Sequence, residues 1–313
     1  MKFYLGVTDY NWYRYLCMLA PDDVNFWRPG GKTPFRSLGP GAPFFFKLKS
    51  PYNAVGGVGF FSSFTKLSTS MAWNVFEKSN GCDSFHELRK MILQYREDSY
   101  DENPEIGCII LTNPIFFKQD DWLPIPDYWN KSIVQGKSFD SDTFLGKELW
   151  TKLEHLLQKY MGVATIEKQH QLNIESALGP QYGNSILTKV RLGQGAFRIQ
   201  VTDAYGRKCA ISGEKTLPAL EAAHIKPYAL SGPHMLSNSL LLRSDMHKLF
   251  DAGYITIAPD LRINISKRIK EEFENGHEYY KFHGKELFAL PKQIRDRPAA
   301  EWLAWHNTEM YNG

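Results

Sequence analysis

The stretch from Leu220 to Asp251 constrains this chain more than any other. Leu220 to Ile225 reads as a short strand, a loop with Ser231-Gly232-Pro233 follows, and Leu240 to Phe250 passes from strand to helix. Into this frame the sequence sets Glu221, His224, Asn238, His247 and Asp251, in that order. His247 and Asp251 are spaced i, i+4, so on a helix both side chains leave the same face and can grip one ion. Glu221 and Ala223 are two apart on the strand and share a face. An imidazole titrates at about 6.5 when unperturbed, so His224 has the chemistry of a base near neutral pH.

Glu221-Ala-Ala-His224-Ile225, then Asn238, then His247-Lys-Leu-Phe-Asp251 resembles the HNH nuclease family, whose ββα-metal fold is a two-stranded ribbon followed by a helix. Hydrolysing a phosphodiester needs a base for water and a cation for the charge on phosphate and leaving oxygen. The resemblance implies that His224 is the base, that Asn238 orients its loop, and that His247 and Asp251 hold a divalent metal. Mg2+ or Mn2+ is expected, with Zn2+, Ni2+ or Co2+ as alternatives. The sequence departs from the family at Ala223, where many members carry another ligand. Either His247 and Asp251 suffice with water and phosphate oxygens, or Glu221 reaches in. Cys209-Ala-Ile-Ser-Gly213 looks like the hairpin where other members carry a zinc-binding C-x-x-C, but Ser212 replaces the second cysteine and no structural zinc is expected. The tail from Tyr280 to Pro291 with Trp305-His306 also fits the family, making His283 and His306 structural. Arg191, Gln194, Arg198, Lys226 and Arg243 are candidate phosphate contacts, which supply affinity without sequence choice.

The chain has 313 residues, room for two domains, and its 43% hydrophobic and 23% charged residues are those of a soluble globular protein. From Lys189 to Gly313 there are 18 Lys and Arg against 14 Asp and Glu, and before it 19 against 20, so the positive excess sits beside the HNH-like motif. Cys17, Cys82, Cys108 and Cys209 form no C-x-x-C pair or disulfide framework, which predicts a reducing, cytoplasmic setting. The amino terminus does not read as a signal peptide, and no apolar run approaches a membrane span. Met1–Val7, Pro43–Lys49, Ala54–Phe61 and Gly107–Thr112 read as strands, and Phe85–Tyr95 as a helix. Gly146–Tyr160 has Leu149, Leu153, Leu156 and Leu157 on one helical face, and the polar stretch from about Met161 to Ser185 reads as a linker. The expected organisation is α+β: residues 1–145 a β-rich sensing domain, 146–188 a connecting helix and linker, and 189–313 the nuclease domain.

Phe3 to Trp12, Phe26-Trp-Arg-Pro29, Gly41 to Lys49 and Gly56 to Phe61 are similar to PUA-superfamily β-barrels, among them EVE, YTH, ASCH and SRA-type domains. Several of these bind a modified base flipped out of nucleic acid, and aromatic stacking offsets the cost of extraction. The resemblance implies a pocket for 5-methylcytosine or 5-hydroxymethylcytosine, with Asp9, Trp12, Trp27, Trp73 and Trp122 as candidates. Together the two halves imply a type IV-like, modification-dependent restriction endonuclease acting on double-stranded DNA, with no membrane partner. One HNH site cuts one strand, so a double-strand break calls for a homodimer or two binding events. The rival readings are an HNH nuclease for unmodified DNA or RNA, a modified-base reader with an inactive nuclease, and a toxin-like nuclease.

Overall fold

A computed structural model describes residues 1–30, 33–96, 101–125, 129–130, 132–171 and 194–313. The chain divides into two compact units, Met1–Gly193 and Gln194–Gly313. The class is α+β, as expected.

The first unit is built on one seven-stranded sheet of β1 (Lys2–Thr8), β2 (Asp23–Arg28), β3 (Pro43–Leu48), β4 (Ala54–Ser68), β5 (Glu105–Phe116), β6 (Leu123–Pro124) and β7 (Gly136–Asp140). The order is β2-β5-β4-β3-β1-β7, with β6 on β4. Only β1 and β3 run parallel. The strand path is open between β2 and β7, where Arg28 Nη2 donates to Gln135 Oε1 at 2.6 Å. Pro43-Phe-Phe-Phe-Lys-Leu48 is buried throughout, so both faces of β3 are covered, as its continuous apolar run requires. Phe45 joins Phe3, Leu5 and Val58 in one core, while Phe44 and Phe46 join Trp12, Tyr13 and Leu16 in another. β4 shifts register twice against β5, and its glycines permit the close approach. A Cβ on Gly57 would lie 2.5 Å from the Ile115 carbonyl oxygen.

Helix α1 (Tyr10–Leu19) was not marked as a helix by the sequence, and it forms with Trp12, Tyr13 and Leu16 buried. Asp9 caps it, accepting from the Asn11 N–H at 2.9 Å. α2 (Thr69–Phe76) follows β4, and α3 (Phe85–Leu93) is the expected helix, starting where expected and ending two residues earlier. Ser84 Oγ accepts from Glu87 N while the Glu87 carboxylate accepts from Asp83 N, closing the first turn. Helix α4 (Phe144–Gln171) runs into the stretch expected to be a linker. Its Leu149, Leu153 and Leu157 are buried in the core beneath Phe3 and Phe45, so this helix is integral to the first unit instead of opening a connector.

In the second unit, α5 (Gln194–Ala204) precedes the antiparallel pair β8 (Leu220–His224) and β9 (Ser239–Arg243). Without a gap, α6 (Ser244–Asp251) continues from β9. β10 (Ile255–Ile257) and β11 (Ile263–Ile265) form an antiparallel hairpin, followed by α7 (Arg268–Phe273), α8 (His277–Tyr280) and α9 (Ala300–Glu309). Among the described residues, no helix is long and apolar enough to cross a membrane.

Two histidines of the tail serve packing. His283 Nδ1 accepts from the Ile265 N–H at 3.0 Å. His306, 1% exposed, stacks on Phe250 with ring centroids 3.7 Å apart. Its Nε2 faces the Phe250 carbonyl at 3.2 Å, and a carbonyl only accepts, so Nε2 carries the proton and Nδ1 accepts from the Thr256 hydroxyl at 2.9 Å. Burial holds His306 down to about 4. The unfolded chain, with an imidazole near 6.5, therefore binds the extra proton first as pH falls, and native stability is full above about 6.5 and drains toward 4. The stability gap between the parent and His306→Phe should narrow by about 3 kcal/mol from pH 7 to 4 in urea melts. A constant gap would refute the assignment.

Candidate functional site

β8 and β9 register Glu221 opposite Leu242 and His224 opposite Ser239, and α6 carries His247 and Asp251 beside them. The His247 ring lies between two carboxylates, with Nδ1 2.7 Å from Glu221 Oε2 and Nε2 3.3 Å from Asp251 Oδ2. Burial alone would raise Glu221, but its bonds with His247 and Ser244 outweigh that and hold its carboxyl below the ordinary range. Asp251 is raised, chiefly by burial. Ala223 is fully buried and adds no donor.

His224 ends this strand, within electrostatic reach of His247. Its ring stacks on Phe197 of α5 at 4.2 Å and 11°, and its Nε2 lies 3.0 Å from Nδ1 of His234. Burial first, then the neighbouring His234 and His247, lower it to about 4, so it is neutral at physiological pH and its lone pair is available. Asn238, fully buried, ties the intervening loop at both ends. Its Oδ1 accepts from Lys226 N at 2.9 Å, and its Nδ2 donates to the carbonyls of Lys226 and Pro233, each at 3.0 Å. Sequence reasoning missed His234, which follows Gly232-Pro233 in a loop with no periodic pattern to mark it.

Among the described residues, no three His, Cys, Asp or Glu side chains already converge on one point as a metal site. The donors nevertheless suit a divalent cation. With Nδ1–H given to Glu221, the Nε2 lone pair of His247 faces the Asp251 carboxylate, and two acceptors so placed take a cation between them. Of the two arrangements left open by the sequence, this geometry favours His247 and Asp251 as holders, with Glu221 orienting the imidazole. Cys209, fully buried, accepts N–H bonds from Ser212 at 3.4 Å and Arg243 at 3.3 Å.

The candidate phosphate contacts fare differently. Gln194 is exposed at the start of α5, and Arg198 stands one turn on, close enough to act electrostatically on Glu221. The Lys226 ammonium lies over the Trp305 ring at 5.3 Å. Arg243 is engaged by both oxygens of Asp245, at 2.6 and 2.7 Å, so it is an internal ion pair and not a ready phosphate ligand. Arg191 lies outside the described residues.

Residues 209–258 match the HNH_2 family, described as HNH endonuclease. The second unit carries an HNH endonuclease domain. The matched segment holds Glu221, His224, His234, Asn238, His247 and Asp251, so the HNH domain brings the chemistry described above into one family segment. HNH nucleases generally use a divalent metal, and the match over residues 209–258 supports nuclease chemistry for this domain. Among solved structures, the chain is similar to ASCH from Zymomonas mobilis, at 12% identity and TM-score 0.32, over 49% of this chain and 94% of that one. It is also similar to the "Modification dependent TagI restriction endonuclease", at 23% identity and TM-score 0.28, over 40% of each chain. No curated protein matches it.

The first unit holds a cavity of about 1300 Å³ lined by β1, β2, β3 and α3 and by the segment before β7. Asp9, Trp12 and Trp27 line it, while Trp73 and Trp122 do not. Trp122 instead packs edge-on against Tyr10, Tyr13 and Tyr52. Trp12 is mostly core, against Phe26 and Phe46, and Asp9 is engaged as helix cap and by Lys49 at 3.6 Å. Trp27 is anchored by its indole N–H on the Asn80 carbonyl at 3.0 Å. Sequence reasoning missed Trp129, Tyr95 and Lys47. Lys47 had a signal, the lone cation within a strand otherwise apolar on both faces.

Lys47 is 6% exposed, its ammonium 3.3 Å from Asn53 Oδ1 and 5.6 Å from the Trp129 ring centroid. Burial lowers its pKa. Removing a buried charge without opening a void should stabilise the unit. Lys47→Met should raise the melting temperature by roughly 3 °C, or about 1 kcal/mol. A lower melting temperature by calorimetry would contradict a charge held there at the fold's expense.

Proposed function

We propose that this chain is a modification-dependent DNA endonuclease: the first unit accepts a modified cytosine, 5-methylcytosine or 5-hydroxymethylcytosine, flipped from the duplex, and the HNH domain hydrolyses the backbone. The observation that carries this reading is the pairing, in one chain, of an HNH domain with an aromatic cavity holding one buried cation. Trp27 supplies a face for stacking, and the Lys47 ammonium a donor for a base's acceptor edge.

At the HNH site His224 takes a proton from water, and that oxygen attacks phosphorus as the 3′-oxygen leaves. Asn238 holds the His224 loop, and Glu221 holds the His247 ring for the metal. His247 and Asp251 would hold a divalent cation, Mg2+ or Mn2+ by the family's habits, which would supply neutralisation of phosphate and leaving-group charge. Gln194 and Arg198 of α5 are the proposed backbone contacts. Domain limits follow the units, with the sensing part carrying α4. A double-strand break requires a homodimer or two binding events.

The test is cleavage of matched duplexes carrying cytosine, 5-methylcytosine or 5-hydroxymethylcytosine, with Mg2+ or Mn2+. Preferential cutting of a modified duplex is expected, and equal cutting of all three would defeat the selectivity. The buried Ala223 motivates one rival, a reader with an inactive nuclease, which predicts modified-DNA binding but no metal-dependent nicking.

A further inference from the structure

We propose that His234 is a positioning residue that fixes His224 in the tautomer whose Nδ1 can take the proton from water. Two ring nitrogens 3.0 Å apart share one hydrogen, so His224 Nε2 and His234 Nδ1 have a single N–H between them. If His224 supplies it, the lone pair of His224 is on Nδ1, the atom not engaged by His234. If His234 supplied it, Nδ1 of His224 would be protonated and unable to act as base. Only the first arrangement is compatible with His224 as the base, and the inference rests on that reading.

The surroundings hold the pair in place. His224 lies flat on Phe197, and His234 meets the same ring edge-on at 5.2 Å and 65°. Tyr228 stacks on His234 at 4.5 Å. The two imidazoles cross at 68°, which suits one ring nitrogen aimed at the other. Asn238 explains how a loop residue keeps such an aim. It bonds Lys226, two residues after His224, and Pro233, immediately before His234, so one amide sets both rings. The Gly232 N–H adds a bond to the Pro227 carbonyl at 3.0 Å, and a Cβ there would lie 1.9 Å from the Lys226 carbonyl oxygen. The loop therefore needs glycine to bring His234 back. Once Nδ1 is protonated, His224 keeps its Nε2–H on neutral His234, so the transfer requires no rearrangement of the pair. A partner that holds a catalytic imidazole in one tautomer is an established way to make a base effective.

The experiment uses the full chain with two variants. Nitrogen-15 NMR of histidine-labelled, metal-free protein, assigned by comparison with His224→Gln, reads the His224 tautomer. The Nε2–H form is expected in the parent and in His234→Gln, whose amide oxygen can accept the same hydrogen. His234→Leu should lose that fixed tautomer. Nicking should fall about 10²-fold in His234→Leu and recover to within a few-fold of the parent in His234→Gln. Melting temperature and DNA affinity, measured alongside, should change little in the glutamine variant. An Nδ1–H form in the parent, or full activity in His234→Leu, overturns the proposal. A parent that nicks no DNA defeats the nuclease reading instead, and the NMR arm still decides the histidine pair.

Discussion

His224→Ala should slow metal-dependent nicking by about 10³-fold, within the range ascribed to one general base. The ring is neutral, half-buried against Phe197 and carried at the end of β8. Truncation removes the base while leaving Glu221, His247 and Asp251 on their own elements. The variant should therefore bind Mn2+ and DNA as the parent does, which titration calorimetry and gel shift can measure. His247→Ala should show the opposite pattern, with metal binding lost. Equal metal loss in both variants would place His224 among the metal ligands and end its assignment as base.

The second large effect concerns selection. Trp27→Ala should cut the preference for modified over unmodified DNA by about 10- to 100-fold, since stacking one base on one aromatic ring contributes about 1–3 kcal/mol. Trp73→Ala is the control, because Trp73 does not line the cavity. Binding of matched duplexes, with the melting temperature of each variant, gives the comparison. Unchanged preference in Trp27→Ala, or equal loss in Trp73→Ala, would remove the cavity from recognition and leave its aromatic walls as packing.

The HNH site was legible because it is local. Glu221 to Asp251 supply both strands, the helix and the chemistry, and spacing alone put His247 and Asp251 on one face. What spacing did not reveal was His234, since a loop has no period and its aim depends on Asn238. Arg243 misled for a related reason: a phosphate candidate by charge, it is bound to Asp245 two residues on. In the first unit, strands with apolar runs were legible, while α1 was not. Its Tyr, Trp and Leu content reads as readily as strand, and its helix depends on burial against β3. The cavity draws residues from Tyr4 to Gln135, so only Asp9, Trp12 and Trp27 of its walls could be named beforehand.

The reach of α4 decides where this protein can be cut apart. A fragment ending at residue 145 keeps every strand of the sheet but strips Leu149, Leu153 and Leu157 from beneath Phe3 and Phe45. It also loses Tyr160, whose hydroxyl accepts from Lys118 N and donates to Asp121, each at 2.7 Å. Such a fragment would present a bare apolar face and aggregate, whereas one that continues past Tyr160 retains its cover. The first unit, if grafted onto another protein, must therefore travel with this helix as its keel.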